Sequence, residues 1–117
     1  MCYTDVVQIE SSLDRALDRT QEIMGLSQNE LAELLGVRQP SLAAWKSGHV
    51  PVARRASVER LFEFALVLDR ELKPSRIPEI VRTPDAWLDD RTILQVIRAE
   101  GVAPIYSYLA RLFSYDG

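Results

Sequence analysis

The chain has one cysteine and one histidine among its 117 residues, and only five glycines. Each scarcity excludes something. A single cysteine, Cys2, cannot close an internal disulfide, and no N-terminal basic region leads into an apolar run, so a reducing cytoplasm is the expected compartment and Cys2 reads as inert. The longest apolar stretch, LFEFALVL at 61–68, is interrupted by Glu63 and falls far short of the roughly 20 residues that span a bilayer. No membrane crossing is expected. One histidine and one terminal cysteine offer no nucleophile paired with a base, so no enzyme is expected either. Asp85, Asp89 and Asp90 share a proline-flanked loop without regular ligand spacing, which suits capping of Thr92 or the following helix better than metal binding. Neither a metal nor a cofactor is called for. Alternating Val, Ile and Thr are nearly absent, and with 47% apolar residues the chain reads as globular and all-α.

The net charge of −3 argues against a phosphate partner until its distribution is considered. Between residues 38 and 60 stand Arg38, Lys46, Arg54, Arg55 and Arg60 against Glu59 alone, a local charge of +4. A basic segment inside an acidic chain is the footprint of a small DNA reader, although a cluster of this size also suits a solvated face.

Spacing separates these two readings. In LSQNELAELLGV, Ser27 followed three residues later by Glu30 forms a capping box, so a helix starts near Gln28. Leu31, Ala32, Leu34 and Leu35 supply its buried face, and Gly36 ends it in a conformation that costs glycine little. Val37 returns toward the core. Pro40 opens a second helix, with Leu42 and Trp45 as its buried stripe. Arg38, Gln39, Ser41, Ala44 and Lys46 are left facing outward, as on the recognition helix of a helix-turn-helix. Gln28, Ala32, Gly36, Val37, Leu42 and Trp45 together resemble the Xre-type helix-turn-helix of lambda-like phage repressors. That resemblance implies a phosphate contact for Gln28, and contacts to base edges or backbone for Arg38, Gln39 and Ser41. Arg38 suits guanine, Gln39 adenine, and Ala44 a thymine methyl. Lys46, Arg54 and Arg55 are assigned to phosphate, and His49 to a solvent-exposed loop.

SSLDRALDRTQEIMG reads as the first helix, capped by Ser11 or Ser12 and closed by Gly25. From Ser57 to Leu72, one apolar stripe runs through Val58, Leu61, Phe62, Ala65, Leu66 and Leu72, and Phe64, Val67 and Leu68 form a second. A helix apolar on two sides links two packed lobes or lies in a dimer interface, and here it is expected to do both. Pro74, Pro78 and Pro84 then mark a boundary, giving a DNA-binding region at 1–73 and a second unit at 74–117. That unit is expected to hold a helix from Thr92 to Ala99 and a last one along Val102, Ile105, Tyr106, Leu109, Leu112 and Phe113. Both are too short for a core of their own, so one reading is that they finish packing against Phe64, Val67 and Leu68. Tyr108, Arg111 and Tyr115 fall off its apolar stripe and are of the types that anchor protein interfaces.

The order of these parts, a helix-turn-helix ending in Trp-x-x-Gly, a long helix, then TPDAWLDDRTILQVIRAEGVAPIYSYLARLF, is similar to the Xre/MbcA/ParS family of antitoxins. Where that family reads Asn-Pro-x-Leu-Gly-Gly-x-x-Pro, this chain has Asp89-Asp90 for the glycine pair and Ile93 for the second proline. The resemblance implies a lambda-repressor-like bundle followed by a small helical toxin-binding domain. It also implies an antitoxin that neutralises a RES-domain, NAD-degrading toxin by direct binding and represses its own operon. Trp87, Arg91, Tyr108, Arg111 and Tyr115 are the implied toxin contacts, and operator DNA, the toxin and a second copy of the chain the implied partners. The alternative is a stand-alone dimeric repressor whose C-terminal half dimerises or senses a ligand.

Overall fold

A computed structural model describes residues 2–116, with side chains from 13 to 111. Helices α1 (Cys2–Met24), α2 (Gln28–Leu35), α3 (Gln39–Lys46) and α4 (Val52–Glu71) form the first part of the chain. A 3-10 turn, Pro74–Arg76, leads into α5 (Ile77–Ile80), and a second, Ala86–Leu88, precedes α6 (Ile93–Glu100) and α7 (Ala103–Asp116). Among the described residues there is no strand, only an isolated antiparallel bridge between Asp85 and Arg91. Nor is any described helix long and apolar enough to cross a membrane.

Three boundaries differ from expectation. Helix α1 does not start at Ser11 or Ser12 but continues from Cys2, because no glycine or proline interrupts residues 2–10. Helix α3 starts at Gln39, with Pro40 still in the first turn where its missing N–H costs nothing. Helix α6 starts at Ile93 because Thr92 is its cap: the hydroxyl accepts from Gln95 N–H at 3.1 Å, and the Gln95 side chain accepts from Thr92 N–H at 2.8 Å.

A single hydrophobic cluster runs through all the helices. Leu17, Met24, Leu31, Leu42, Val58 and Phe64 from the first part join Ile77, Val81, Ile93, Val96, Ile105 and Leu109 beyond residue 73. The C-terminal unit therefore has no core of its own. Phe64 and Leu68, assigned to a dimer interface or the join between halves, are fully buried within the chain and leave no surface for a second copy. Phe64 meets the Tyr106 ring of α7 edge-to-face at 5.6 Å, while Val67 is half-buried against the same core.

The C-terminal unit is fastened to the turn between α1 and α2. Gly25 has φ 64°, and a Cβ there would lie 2.7 Å from Pro78 Cγ, so glycine is needed both for the turn and for the approach of α5. The Arg82 guanidinium donates to the carbonyls of Gly25 and Pro78, at 2.7 and 2.8 Å, and to Glu30 Oε1 at 2.7 Å. The Glu30 carboxyl is held below its ordinary range, first by its bond from Ser27 N–H and then by Arg82, against an opposing push from burial.

Candidate functional site

The geometry of α2 and α3 follows from their ends. Ser27 Oγ accepts from Glu30 N–H at 3.1 Å while Glu30 Oε1 accepts from Ser27 N–H at 2.9 Å, completing the capping box. Gly36, at φ 69°, turns the chain, and Val37 N–H closes on the Ala32 carbonyl at 2.9 Å. Helix α3 then packs Leu42 and Trp45 into the core. Its cap residue, Arg38, makes no side-chain capping bond, so no capping oxygen quenches the positive end of this helix as Ser27 does for α2.

Gln28, Arg38, Gln39, Ser41 and Ala44 are all exposed, and Gln39 donates to Asn29 Oδ1 at 3.3 Å, tying the start of the outward helix to α2. Arg54 is exposed at the start of α4, and its guanidinium reaches the Leu35 carbonyl at 3.4 Å. His49 is exposed, as expected, within 3.5 Å of Ser47 Oγ. Lys46 departs from its phosphate assignment: its ammonium is paired with Asp18 at 3.2 Å and bonded to Gln21, with only 19% of the side chain exposed. Lys46 follows Trp45 onto the side of α3 that meets α1, a neighbour that the phase of α3 does not reveal. Arg55 is half-buried on α4.

Residues 22–73 match the family model described as Helix-turn-helix. This segment is an Xre-like helix-turn-helix domain. The family is one of DNA-binding regulators and not a catalytic one, and the match ends where the C-terminal unit begins. No curated protein and no solved structure matches the chain.

Beyond the helix-turn-helix domain, four of the five residues assigned to toxin contact converge. Trp87 is 48% exposed, its ring meets Tyr108 edge-to-face at 6.1 Å, and the Arg111 guanidinium lies 5.8 Å from its centroid. With Arg91, Pro104 and Ser107 they line a shallow hollow of 210 Å³. Arg91 is committed to the scaffold, donating to Glu100 at 2.7 Å and to the Leu88 carbonyl at 3.0 Å. The side chain of Tyr115 lies outside the described residues.

Asp85, expected to cap Thr92 or α6, organises this cluster instead. One carboxylate oxygen accepts from Trp87 N–H at 2.8 Å, and the other from the Tyr108 hydroxyl at 2.8 Å. Burial, then the bond to Asp85, pushes the Tyr108 phenol up to about 12. An aspartate two residues before its backbone donor is a local turn signal, whereas the tyrosine 23 residues on is not legible locally. Asp89 and Asp90 cap nothing at α6; both are left-handed, at φ 59° and 63°.

Proposed function

We propose that this DNA-binding regulator is an antitoxin that neutralises a RES-domain, NAD-degrading toxin and represses its own operon. The observation that carries the reading is the backbone at Asp89 and Asp90. Left-handed conformations are where glycine is the ordinary residue, and the antitoxin pattern has its glycine pair at these two positions. The loop thus has a shape for which the family uses glycine, although this chain has aspartates there.

The surface next to that loop supports the same reading. A half-exposed tryptophan, braced by a tyrosine and overlaid by an arginine, combines the residue types that dominate protein interfaces, and rigid rings lose little entropy on binding. Trp87, Tyr108 and Arg111 are the proposed toxin contacts, with Arg91 positioning the loop. Gln28, Arg38, Gln39, Ser41 and Ala44 are the proposed operator contacts, with Arg54 and Arg55 as proposed contacts to phosphate. Two copies would read the two half-sites of an operator in the cytoplasm.

The test is co-expression of the tagged chain with the product of the adjacent reading frame, following cellular NAD with and without this chain. Co-purification, with NAD collapsing only when the chain is omitted, is the expected result. A chain that captures no neighbour and leaves NAD unchanged would be a stand-alone repressor instead.

A further inference from the structure

Two arginines of the C-terminal unit lie along the exposed edge of α2, outside the segment that matches the helix-turn-helix family. Arg82 pairs with Glu30 at 2.7 Å, and Arg98 of α6 pairs with Glu33 at 3.4 Å. Glu30 and Glu33 are the acids of α2, so each carboxylate on this edge is met by a guanidinium from the other half of the chain.

Glu33 is close to the residues assigned to DNA. Asn29 donates to Glu33 Oε1 at 3.4 Å and accepts from Gln39 at 3.3 Å, so one side chain separates Glu33 from the outward face of α3. Glu33 also shares a hollow of 400 Å³ with Gly36, Val37, Arg38 and Arg98. A carboxylate there, left alone, would repel a DNA phosphate. Arg98 offsets that repulsion, and with 65% of its side chain exposed it remains accessible to a second anion. Two guanidiniums, Arg38 and Arg98, thus flank one hollow that holds one acid.

We propose that Arg98 contacts a DNA phosphate, so that the C-terminal unit is part of the nucleic-acid interface as well as the holder of a protein partner. This rests on the reading of α2 and α3 as the DNA face. It extends the interface beyond residue 73, to a helix that packs against both α2 and α7.

The test measures affinity of the full chain against salt concentration. The probes are a duplex of the DNA immediately upstream of its own reading frame and a random-sequence duplex of equal length. Arg98→Ala is expected to weaken binding to both duplexes by the same factor and to lower the log–log salt slope by about one, the signature of one lost phosphate contact. Since Arg98 also neutralises Glu33, the comparison is repeated in a Glu33→Gln background, where no carboxylate remains to be neutralised. A slope lowered by about one in both backgrounds supports the contact. A slope lowered only while Glu33 is present, or in neither background, overturns it. Melting temperatures of the variants check folding, and Arg98→Lys, which keeps the charge, is expected to retain the wild-type slope. If the wild-type chain binds neither duplex, the DNA reading of α2 and α3 fails along with this inference; if it binds and Arg98→Ala changes nothing, only this inference fails.

Discussion

Removing the Tyr108 hydroxyl tests how the Trp87 surface is held. The phenol donates to Asp85 at 2.8 Å, and Asp85 in turn fixes the backbone of Trp87. Tyr108→Phe leaves the ring and its contact with Trp87 and deletes one bond to a charged acceptor, costing about 1.5–3 kcal/mol at neutral pH. The alkaline limb carries the sharper signature. The phenol titrates at about 12 in the fold against an ordinary value of about 10, and a tenfold change in an ionisation constant is worth about 1.4 kcal/mol. The half-buried setting screens the total from about 3 to about 1–2 kcal/mol. The folded value is raised, so this stabilisation is complete below about pH 10 and is lost as pH rises toward 12. Urea denaturation of wild type and Tyr108→Phe across that range is expected to show the difference in stability shrinking with pH. Asp85→Asn is expected to return the phenol only part of the way, because burial, the larger cause, remains. A constant difference between wild type and Tyr108→Phe across the alkaline range would refute the reasoning.

Other substitutions address the core, the loop and the α2 cap. Phe64→Ala is expected to cost about 3–5 kcal/mol, since the ring is fully buried between the two halves. One continuous core also predicts a single unfolding transition for the chain, so two resolved transitions in calorimetry would contradict it. Asp89→Gly is expected to stabilise by about 0.5–1 kcal/mol, because glycine relieves the left-handed strain at some cost in chain entropy; a lower melting temperature would show that the 3.9 Å approach of Asp89 to Arg91 matters more. Because the Glu30 carboxyl is depressed in the fold, its stabilisation is present above its ordinary value of 4.5 and lost as pH falls below it. Glu30→Gln is therefore expected to flatten the acid limb of the stability profile.

The helix-turn-helix was legible in the sequence because its determinants are local. Ser27 and Glu30 sit three apart, Gly36 ends the helix they start, and Leu42 and Trp45 repeat at helical spacing, so each could be read within one or two turns. The partners of Arg82 and Arg98 lie 52 and 65 residues away, and no periodicity announces such pairs. Lys46 is on an outward arc when α3 is considered alone and is claimed by Asp18 and Gln21 only once α1 is packed beside it. Both stripes of α4 were visible, and the shortness of the last two helices pointed to their packing on Phe64, Val67 and Leu68; Tyr106, 42 positions beyond Phe64, does so on the Phe64 ring. The Trp87 cluster was legible as residue types, while Asp85, which holds it together, looked from the sequence like a helix cap.

The claim that DNA and the protein partner are held on separate faces is tested most directly by two full-length variants in paired assays. Arg38→Ala is expected to lose about 1–3 kcal/mol of binding to the upstream duplex and to capture the adjacent reading frame's product as wild type does. Trp87→Ala is expected to lose the protein partner and retain the duplex. Opposite losses are the predicted result; both variants losing both activities, with their folds intact, would contradict the account.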